Sequence, residues 1–164
     1  MNRETKHTLL AFLAKHNSMT LATVGAGGQP QAAAVFYATG EDLQLYYLSS
    51  PNSRHSLNLL REPRVAATIH ADGQAWQTIH GLQIEGTAEQ VVSVHELARA
   101  IRVYASRFQF LKDLLTGGDD GPVTLRGPVA SSRFYVLRPA WIRLIDNSRG
   151  FGHREEWREL DGRR

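Results

Sequence analysis

The stretch SSPNSRHSLNLLREPRVAATIH, residues 49–70, decides the predicted fold. It begins where an aromatic strand ends, passes through one short helix and continues as a second strand over residues 65–70. Ser50 is predicted as the N-cap of this helix, Pro51 suits its first position, and Pro63 ends it. The stretch therefore predicts two strands that are joined by one short helix.

The chain before this stretch alternates strands with tight turns. Apolar residues at helical spacing predict a first helix over residues 5–16. Runs of β-prone residues separated by Gly-rich turns predict three successive strands, at residues 19–24, 31–39 and 43–48. Three strands in direct succession indicate an antiparallel meander.

The chain after this stretch continues as strands around one clear helix. Ser93 and Glu96 have the spacing of a capping box, and helical periodicity covers residues 93–106. A long strand is predicted before this helix and two strands, separated by Pro139, after it, at residues 76–92, 132–137 and 141–145. Gly81 and Gly86 in the long strand predict a bend or a close approach of two backbones.

Together these elements predict a mainly β protein with flanking helices, a small antiparallel barrel of six strands. The 164 residues match one domain, 1–164. Within it, the Gly- and Pro-rich residues 116–131 are predicted to form a flexible loop, and residues 146–164 a C-terminal segment.

Composition limits the functional classes. With 42% apolar and 21% charged residues, the chain is typical of a soluble globular protein. No apolar run is long enough to span a membrane and no signal-peptide core is present, so a cytoplasmic location without a membrane partner is expected. The absence of cysteine excludes thiolate metal sites and cysteine nucleophiles. The net charge is +3, and all of the basic excess lies in the last 32 residues.

The first turn of the short helix is a candidate anion site. Backbone N–H groups at a helix start lack intrahelical acceptors, and serine hydroxyls with one guanidinium would add donors to a phosphate. The residues that offer these donors are Ser49, Ser50, Ser53, Arg54 and His55. The alternative is an ordinary capped helix whose arginine points into water.

Three alanines lead the strand AAAVFY, residues 32–37, although alanine is a weak strand former. A flat ligand would explain them if it lay against Ala34 and Val35, bonded to main-chain groups and bordered by Phe36 or Tyr37. The alternative is a helix packed on this strand, with Leu97 or Ile101 filling the space.

The remaining chemistry-bearing residues form no motif. The seven histidines are scattered without metal-ligand spacing, and neither a nucleophile elbow nor a Walker loop is present. We therefore expect no metal site and no catalytic side chain.

The chain resembles the pyridoxamine 5'-phosphate oxidase-related split-barrel family over residues 8–157. The resemblance rests on Ser53-Arg54-His55, then Pro63-Arg64-Val65, then Gly86, and on a tail, DNSRGFG at residues 146–152, similar to a bacterial branch of unknown substrate. It implies an FMN-binding split barrel, a homodimer with FMN at the subunit interface. The implied function is oxidoreduction of a small molecule by the flavin.

The resemblance also assigns roles to residues. The flavin phosphate would lie at Ser53 and Arg54 and the ring along the strand of Ala34, with Gln83 as a ring contact. Trp141 or Phe151 would cover the ring. The chain departs from the oxidase itself, however. Ala33 replaces a phosphate-binding arginine, His55 replaces a lysine, and the tail lacks the substrate-binding residues. True pyridoxamine-phosphate oxidase activity is therefore not expected.

Three alternatives stay open at this stage. Haem could bind at His153, as in some split-barrel relatives, and a deazaflavin could replace FMN. A non-catalytic regulatory or binding dimer is the third. Nucleic acid is a weak candidate partner, since the arginines of the tail are interleaved with aromatic residues but also with acidic ones: Arg138, Trp141, Arg143, Arg149, Phe151 and Arg154.

Overall fold

The computed structural model of the protein describes residues 1–117 and 124–158. The strands are β1 (Ser18–Val24), β2 (Pro30–Thr39), β3 (Leu45–Ser49), β4 (Arg64–His70), β5 (His80–Gln90), β6 (Leu115–Thr116), β7 (Thr124–Leu125), β8 (Arg133–Asp146) and β9 (Arg154–Arg158). The helices are α1 (Arg3–Lys15), α2 (Arg54–Leu59), α3 (Val94–Arg107) and α4 (Phe110–Asp113).

Six antiparallel strands close into a barrel in the order β3-β2-β1-β4-β5-β8, and β8 pairs again with β3. The predicted six-stranded antiparallel barrel with flanking helices is confirmed. β8 is long enough to pair with two different strands along the same edge. Its first half pairs with β3, from Arg133 to Leu137, and its second half pairs with β9, from Trp141 to Ile145.

The barrel interior is filled by side chains that alternate with outward-facing ones along each strand, as a sheet with one buried face requires. α1 closes one end through Leu9, Phe12 and Leu13, all buried. The hydroxyl of Tyr37, at the end of β2, donates to the carbonyl of Leu13 over 2.9 Å. This bond joins α1 to the barrel wall and satisfies a polar group inside the core.

A second apolar cluster lies outside the barrel, where α3 packs on β2, β3 and β8. Tyr104 of α3 contacts Phe134 edge-on, with their ring centroids 5.7 Å apart. At the other end of α3, Arg138 of β8 forms ion pairs with Glu89 of β5 and Glu96 of α3. α3 is thereby held to the barrel at both of its ends.

Two predicted helix starts are wrong in detail. α2 begins at Arg54 and its N-cap is Ser53, whose side chain accepts from Ser56 N. Ser50 instead accepts from Asn52 N in the preceding turn, over 3.2 Å. Ser93 does cap α3 by position, but it makes no side-chain bond to the helix, and Glu96 bonds Arg138 instead. The predicted capping box is therefore absent because a tertiary ion pair competes for the carboxylate.

The predicted break at Pro139 is wrong. β8 runs through it, and the register against β5 shifts by one residue between Glu85 and Gly86. Gly86 stands opposite Pro139 while Glu85 stands opposite Trp141, which leaves one extra residue in β8. A bulge of this kind accommodates a residue that has no N–H to donate.

Other boundaries differ as well. β5 begins at His80, because Trp76–Thr78 form a 3₁₀ turn and not the start of a strand. The predicted loop 116–131 contains β7 and the 3₁₀ turn Gly127–Val129, while residues 118–123 lie outside the described residues. The C-terminal segment adds β9 to the sheet, and residues 159–164 are not described. Within the described ranges, no helix combines the length and the apolar character that a membrane crossing needs.

Candidate functional site

The barrel is split between β2 and β3. The two strands pair only at Tyr37 to Thr39 of β2, so among the described residues no strand pairs with the earlier part of β2 on the side away from β1. Tyr37 N donates to Asn17 O on the β1 side, over 3.0 Å. Main-chain groups alternate in direction along a strand, so those of Ala34 and Ala32 face the open side. The split thus exposes main-chain hydrogen-bonding groups along one edge of β2.

A cluster of hydroxyls and one imidazole lies where β3 ends and α2 begins. Ser49 Oγ is 2.6 Å from His55 Nε2, and Ser53 Oγ is 3.1 Å from the same nitrogen. The two hydroxyl oxygens are 3.1 Å apart. We call Ser49, Ser53 and His55 the serine–histidine cluster. The structure therefore brings together three of the predicted anion-site residues.

The two other predicted anion-site residues flank this cluster. Ser50 lies in the turn between Ser49 and Ser53, where its carbonyl accepts from Ser53 N over 3.0 Å. Arg54 is exposed and takes part in none of the ion pairs formed by the described residues. Burial lowers the pKa of His55, so the imidazole is neutral at pH 7. Arg54 is then one positive charge of this surface, and the exposed Arg133 stands opposite Ser49 across the β3–β8 pairing.

The predicted ring-binding residues of β2 point in two directions. Ala34 and Phe36 face outward, and Phe36 is 56% exposed with its ring centroid 5.8 Å from that of Phe108. Val35 and Tyr37 face the barrel core, where burial raises the pKa of the Tyr37 hydroxyl well above its usual value. Only Ala34 and Phe36 can therefore offer side-chain contacts to a ligand outside the barrel. The alternative of a helix covering these alanines is not found, since Ala32 and Ala34 are exposed.

The outer face of the barrel continues from Ala34 as a surface of small side chains. Cross-strand neighbours lead from Ala34 to Thr20, Thr68 and Gln83. The groove on this face has a volume of about 490 Å³, and its lining includes Thr20, Ala22, Ala66, Thr68, Gln83, Glu85, Trp141, Arg143 and Arg158. We call it the outer-face groove.

Gln83 and Trp141 lie in this groove, away from the serine–histidine cluster. Gln83 accepts from Arg143 over 3.2 Å. The guanidinium of Arg143 stacks 4.7 Å from the centre of the Trp141 ring, which is only 8% exposed. The Trp141 ring is thus already covered by a side chain of its own chain.

Phe151 lies on a separate loop and is 85% exposed. Its ring meets that of Trp76 edge-on, at 5.9 Å between centroids. Asn147 holds the two loops together, because its side chain donates to Trp76 O over 2.7 Å and accepts from Gly152 N over 3.0 Å. Phe151 is thereby fixed in an outward position, apart from the serine–histidine cluster.

A buried polar cluster under α2 is absent from the sequence prediction. Asn58 Nδ2 donates to Thr23 Oγ1 over 2.9 Å and to Gln31 Oε1 over 3.1 Å. These bonds tie α2 to β1 and to the start of β2, and thereby hold the serine–histidine cluster beside the open edge. A signal was present in the sequence, since Gln31 stands at an inward position of its strand.

The side chains named for the alternatives to a flavin have partners of their own in the structure. The described residues include no group of three or more histidines and carboxylates that could hold a metal ion. His153 Nε2 faces Glu155 Oε1 at 3.4 Å. Arg138, Arg143 and Arg149 of the tail all form ion pairs with glutamates, which reduces the positive charge available to a nucleic acid.

A six-stranded antiparallel barrel that opens between two strands, with a donor-rich turn at the opening, defines the split-barrel class of proteins. The family profile of pyridoxamine 5'-phosphate oxidase matches residues 5–145. The chain belongs to this family.

Two of the similar proteins have names that state no function. A UPF0306 protein of Yersinia pseudotuberculosis is 26% identical over 151 residues, covering 92% of this chain and 90% of its own. A conserved hypothetical protein of Mycobacterium tuberculosis is 24% identical with a TM-score of 0.66, covering 90% of this chain and 86% of its own.

Other neighbours are named for haem. A heme binding protein of Mycobacterium smegmatis is 20% identical with a TM-score of 0.73, and the match covers 97% of this chain but 60% of that one. HutZ of Vibrio cholerae, a heme storage protein, is 21% identical with a TM-score of 0.63, covering 85% of this chain and 91% of its own.

Proposed function

We propose that the protein is a flavoprotein that binds FMN and uses it for oxidation or reduction of a small molecule. The observation that carries the proposal is the open edge of β2, which runs past Ala34 and ends beside a turn with Ser49, Ser53 and the exposed Arg54. A flat ring with a phosphate at its far end matches an exposed main-chain edge followed by hydroxyls and a cation.

The residues present fit FMN in their donor types. Phosphate oxygens accept hydrogen bonds, and Ser49, Ser53 and Arg54 supply hydroxyl and guanidinium donors. Ala32 and Ala34 leave the main chain of β2 accessible, since neither side chain extends beyond Cβ. Phe36 offers an exposed aromatic wall next to them.

We further propose that the functional form is a homodimer in which the outer-face grooves of two copies meet. Within one chain, the residues predicted to contact or cover the ring do not lie over the open edge of β2. Gln83 and Trp141 lie in the groove, and Phe151 lies on another loop. A second copy packed on the groove would bring its own side chains over the first copy's open edge. This arrangement would also bury Ala22 and Ala66.

The residues of this chain would bind and orient the cofactor. Bound FMN would supply the hydride or electron chemistry. Ser49, Ser53 and Arg54 would fix the phosphate, and the edge of β2 would fix the ring plane. Phe36 and the partner surface would exclude water from one side of the ring.

The first test is an absorption spectrum of the purified protein after FMN is added and the unbound excess is removed by gel filtration. A flavin spectrum that elutes with a dimer is expected. Arg54→Ala should weaken FMN binding by about 1.5–3 kcal/mol, the range for losing a charge-assisted hydrogen bond. This corresponds to about 10-fold to 150-fold in Kd.

The matched control is Arg61→Ala, since Arg61 is an exposed arginine at the other end of α2. It should bind FMN like the unchanged protein. Equal affinity in Arg54→Ala and Arg61→Ala would contradict the phosphate assignment. Tighter binding of a deazaflavin than of FMN would change the assigned cofactor to a deazaflavin. A Soret band that is lost in His153→Ala would change the assigned cofactor to haem.

A further inference from the structure

The serine–histidine cluster contains a residue whose charge can change near neutral pH. His55 Nε2 lies 2.6 Å from Ser49 Oγ and 3.1 Å from Ser53 Oγ, so one ring nitrogen contacts both hydroxyls. The cluster is held by the turn before α2, in which Ser53 N donates to Ser50 O over 3.0 Å. Whether this nitrogen accepts or donates therefore decides which way the Ser49 hydroxyl points.

The hydrogens of the cluster can be counted. Ser53 donates its hydroxyl hydrogen to Ser56 Oγ over 2.8 Å, so this hydrogen can reach an anion only if that bond is broken. Ser49 has one hydroxyl hydrogen, and its shortest contact is His55 Nε2. With the neutral imidazole protonated at Nδ1, Nε2 accepts from Ser49, and neither Ser49 nor Ser53 then has a free hydroxyl hydrogen for an anion. With both nitrogens protonated, Nε2–H donates to Ser49 Oγ and the Ser49 hydrogen is released.

Two arginines flank the serine–histidine cluster, and the strands packed under α2 add little other charge. β1 has no ionisable side chain, and the only one in β2 is Tyr37, which bonds Leu13 O inside the barrel. Arg54 follows on α2 itself, and Arg133 stands opposite Ser49 across the β3–β8 pairing. Burial is the cause that lowers the pKa of His55. An anion beside the imidazole would act in the opposite direction.

We propose that His55 is a positioning residue that couples phosphate binding to the uptake of one proton, by turning the Ser49 hydroxyl from its own ring toward the anion. This inference rests on the proposed FMN function, since the anion is the FMN phosphate. One proton moves from solvent to Nε2, and no covalent bond other than N–H is formed. The site then offers the anion both the Ser49 hydrogen and the imidazolium charge.

The direct test is an NMR titration of the His55 ring in the full-length protein, with the resonance identified by its loss in His55→Gln. The pKa of His55 is measured without ligand, with sulfate, with riboflavin and with FMN. We expect sulfate and FMN to raise this pKa and riboflavin, which lacks the phosphate, to leave it unchanged. Sulfate is included because its own charge is constant in this range.

A binding experiment gives the second readout. The FMN phosphate itself titrates near about pH 6, so the unchanged protein is compared with His55→Gln, in which that titration is the same. From about pH 8 to about pH 5.5, across the usual range of histidine, the affinity ratio of FMN to riboflavin should rise several-fold more in the unchanged protein than in His55→Gln. Circular dichroism checks that the variant folds.

The outcomes separate the two proposals. FMN binding with an unmoved His55 pKa, and with equal pH profiles in both proteins, would overturn the role of His55 and leave the flavin function intact. Failure to bind FMN at any pH would overturn the proposed function, and the sulfate titration would still decide whether His55 responds to an anion. No shift with sulfate would then overturn the inference as well.

Discussion

His16 shows how burial and charge act together on one side chain. It follows α1 at the closed end of the barrel, where its ring centroid lies 4.5 Å from that of Phe12. Burial lowers its pKa below the usual 6.5, and the positive charges of His80, His70, Lys15 and Arg107 lower it further. The neutral form is therefore the one that the folded protein favours.

The sign of the pH effect follows from this shift. Below about pH 6.5 the unfolded chain binds a proton at His16 more readily than the folded one, so stability falls as the pH decreases. We expect the free energy of unfolding in urea to fall from about pH 7.5 to about pH 5.5, and to fall less in His16→Gln. His7→Gln, an exposed histidine of α1, is the control and should behave like the unchanged protein. An equal loss of unfolding free energy in all three proteins would show that His16 is not the cause of the pH effect.

The sequence predicts those residues of the candidate site that are close to one another along the chain. Ser49, Ser53 and His55 lie within seven residues, and a strand followed by a helix start already implies that they are close. Asn58 was not predictable in the same way. The apolar pattern favours Leu57 and Leu60 as the buried face of α2, yet both are exposed, because the helix turns Asn58 toward Thr23 and Gln31.

At the scale of elements, the close contact between β5 and β8 limits which residue can stand at position 86. Gly86 lies at the register shift, opposite Pro139. A Cβ at this position would overlap the carbonyl oxygen of Arg138 and lie 2.9 Å from its carbonyl carbon. These atoms belong to the backbone and cannot move aside as a flexible side chain can.

Gly86→Ala should therefore destabilise the protein by at least about 1–3 kcal/mol, the usual cost of overpacking, measured by urea unfolding. Gly81→Ala is the matched control on the same strand. There the new Cβ would lie 3.3 Å from His70 Cβ and from Ile69 O, a tight but tolerable approach. A smaller loss is expected, and a larger loss in Gly81→Ala than in Gly86→Ala would contradict the geometry of the bulge.

The sequence predicts an element well where its apolar residues recur over several turns of one continuous segment. α3 is found at Val94–Arg107, within a residue of its predicted limits, because its apolar residues recur over four turns. β8 was predicted as two strands, since Pro139 is a local signal for a break, whereas the bulge that accommodates it depends on Gly86 far away in sequence. β9 pairs only with the second half of β8, which no local pattern indicates.

At the scale of the whole molecule, the three longer helices leave one broad face of the barrel exposed. α1 closes one end, α2 lies at the split, and α3 packs on β2, β3 and β8. The outer-face groove across β1, β4, β5, β8 and β9 remains, and Ala22 and Ala66 are part of its lining. The sequence predicts that these small residues lie on strands. It does not predict that they share one surface, because that depends on the order of the strands in the barrel.

The proposed dimer makes a prediction for this face. In a symmetric dimer a residue of the shared patch contacts the same patch of the other copy, so one substitution acts twice. Ala66→Arg would place two extended cations where two small side chains would meet. We expect the unchanged protein to elute at twice the mass of one chain in gel filtration with light scattering, and Ala66→Arg at the mass of one chain.

Val92→Arg is the matched control, because Val92 is 82% exposed between β5 and α3 and outside the groove. It should remain dimeric and retain FMN. Ala66→Arg should lose FMN together with the dimer, although its serine–histidine cluster and Arg54 are unchanged, since the ring would no longer be covered by the second copy. A dimeric Ala66→Arg protein would show that the groove is not the interface. A monomeric one that still binds FMN with full affinity would show instead that one chain holds the cofactor alone.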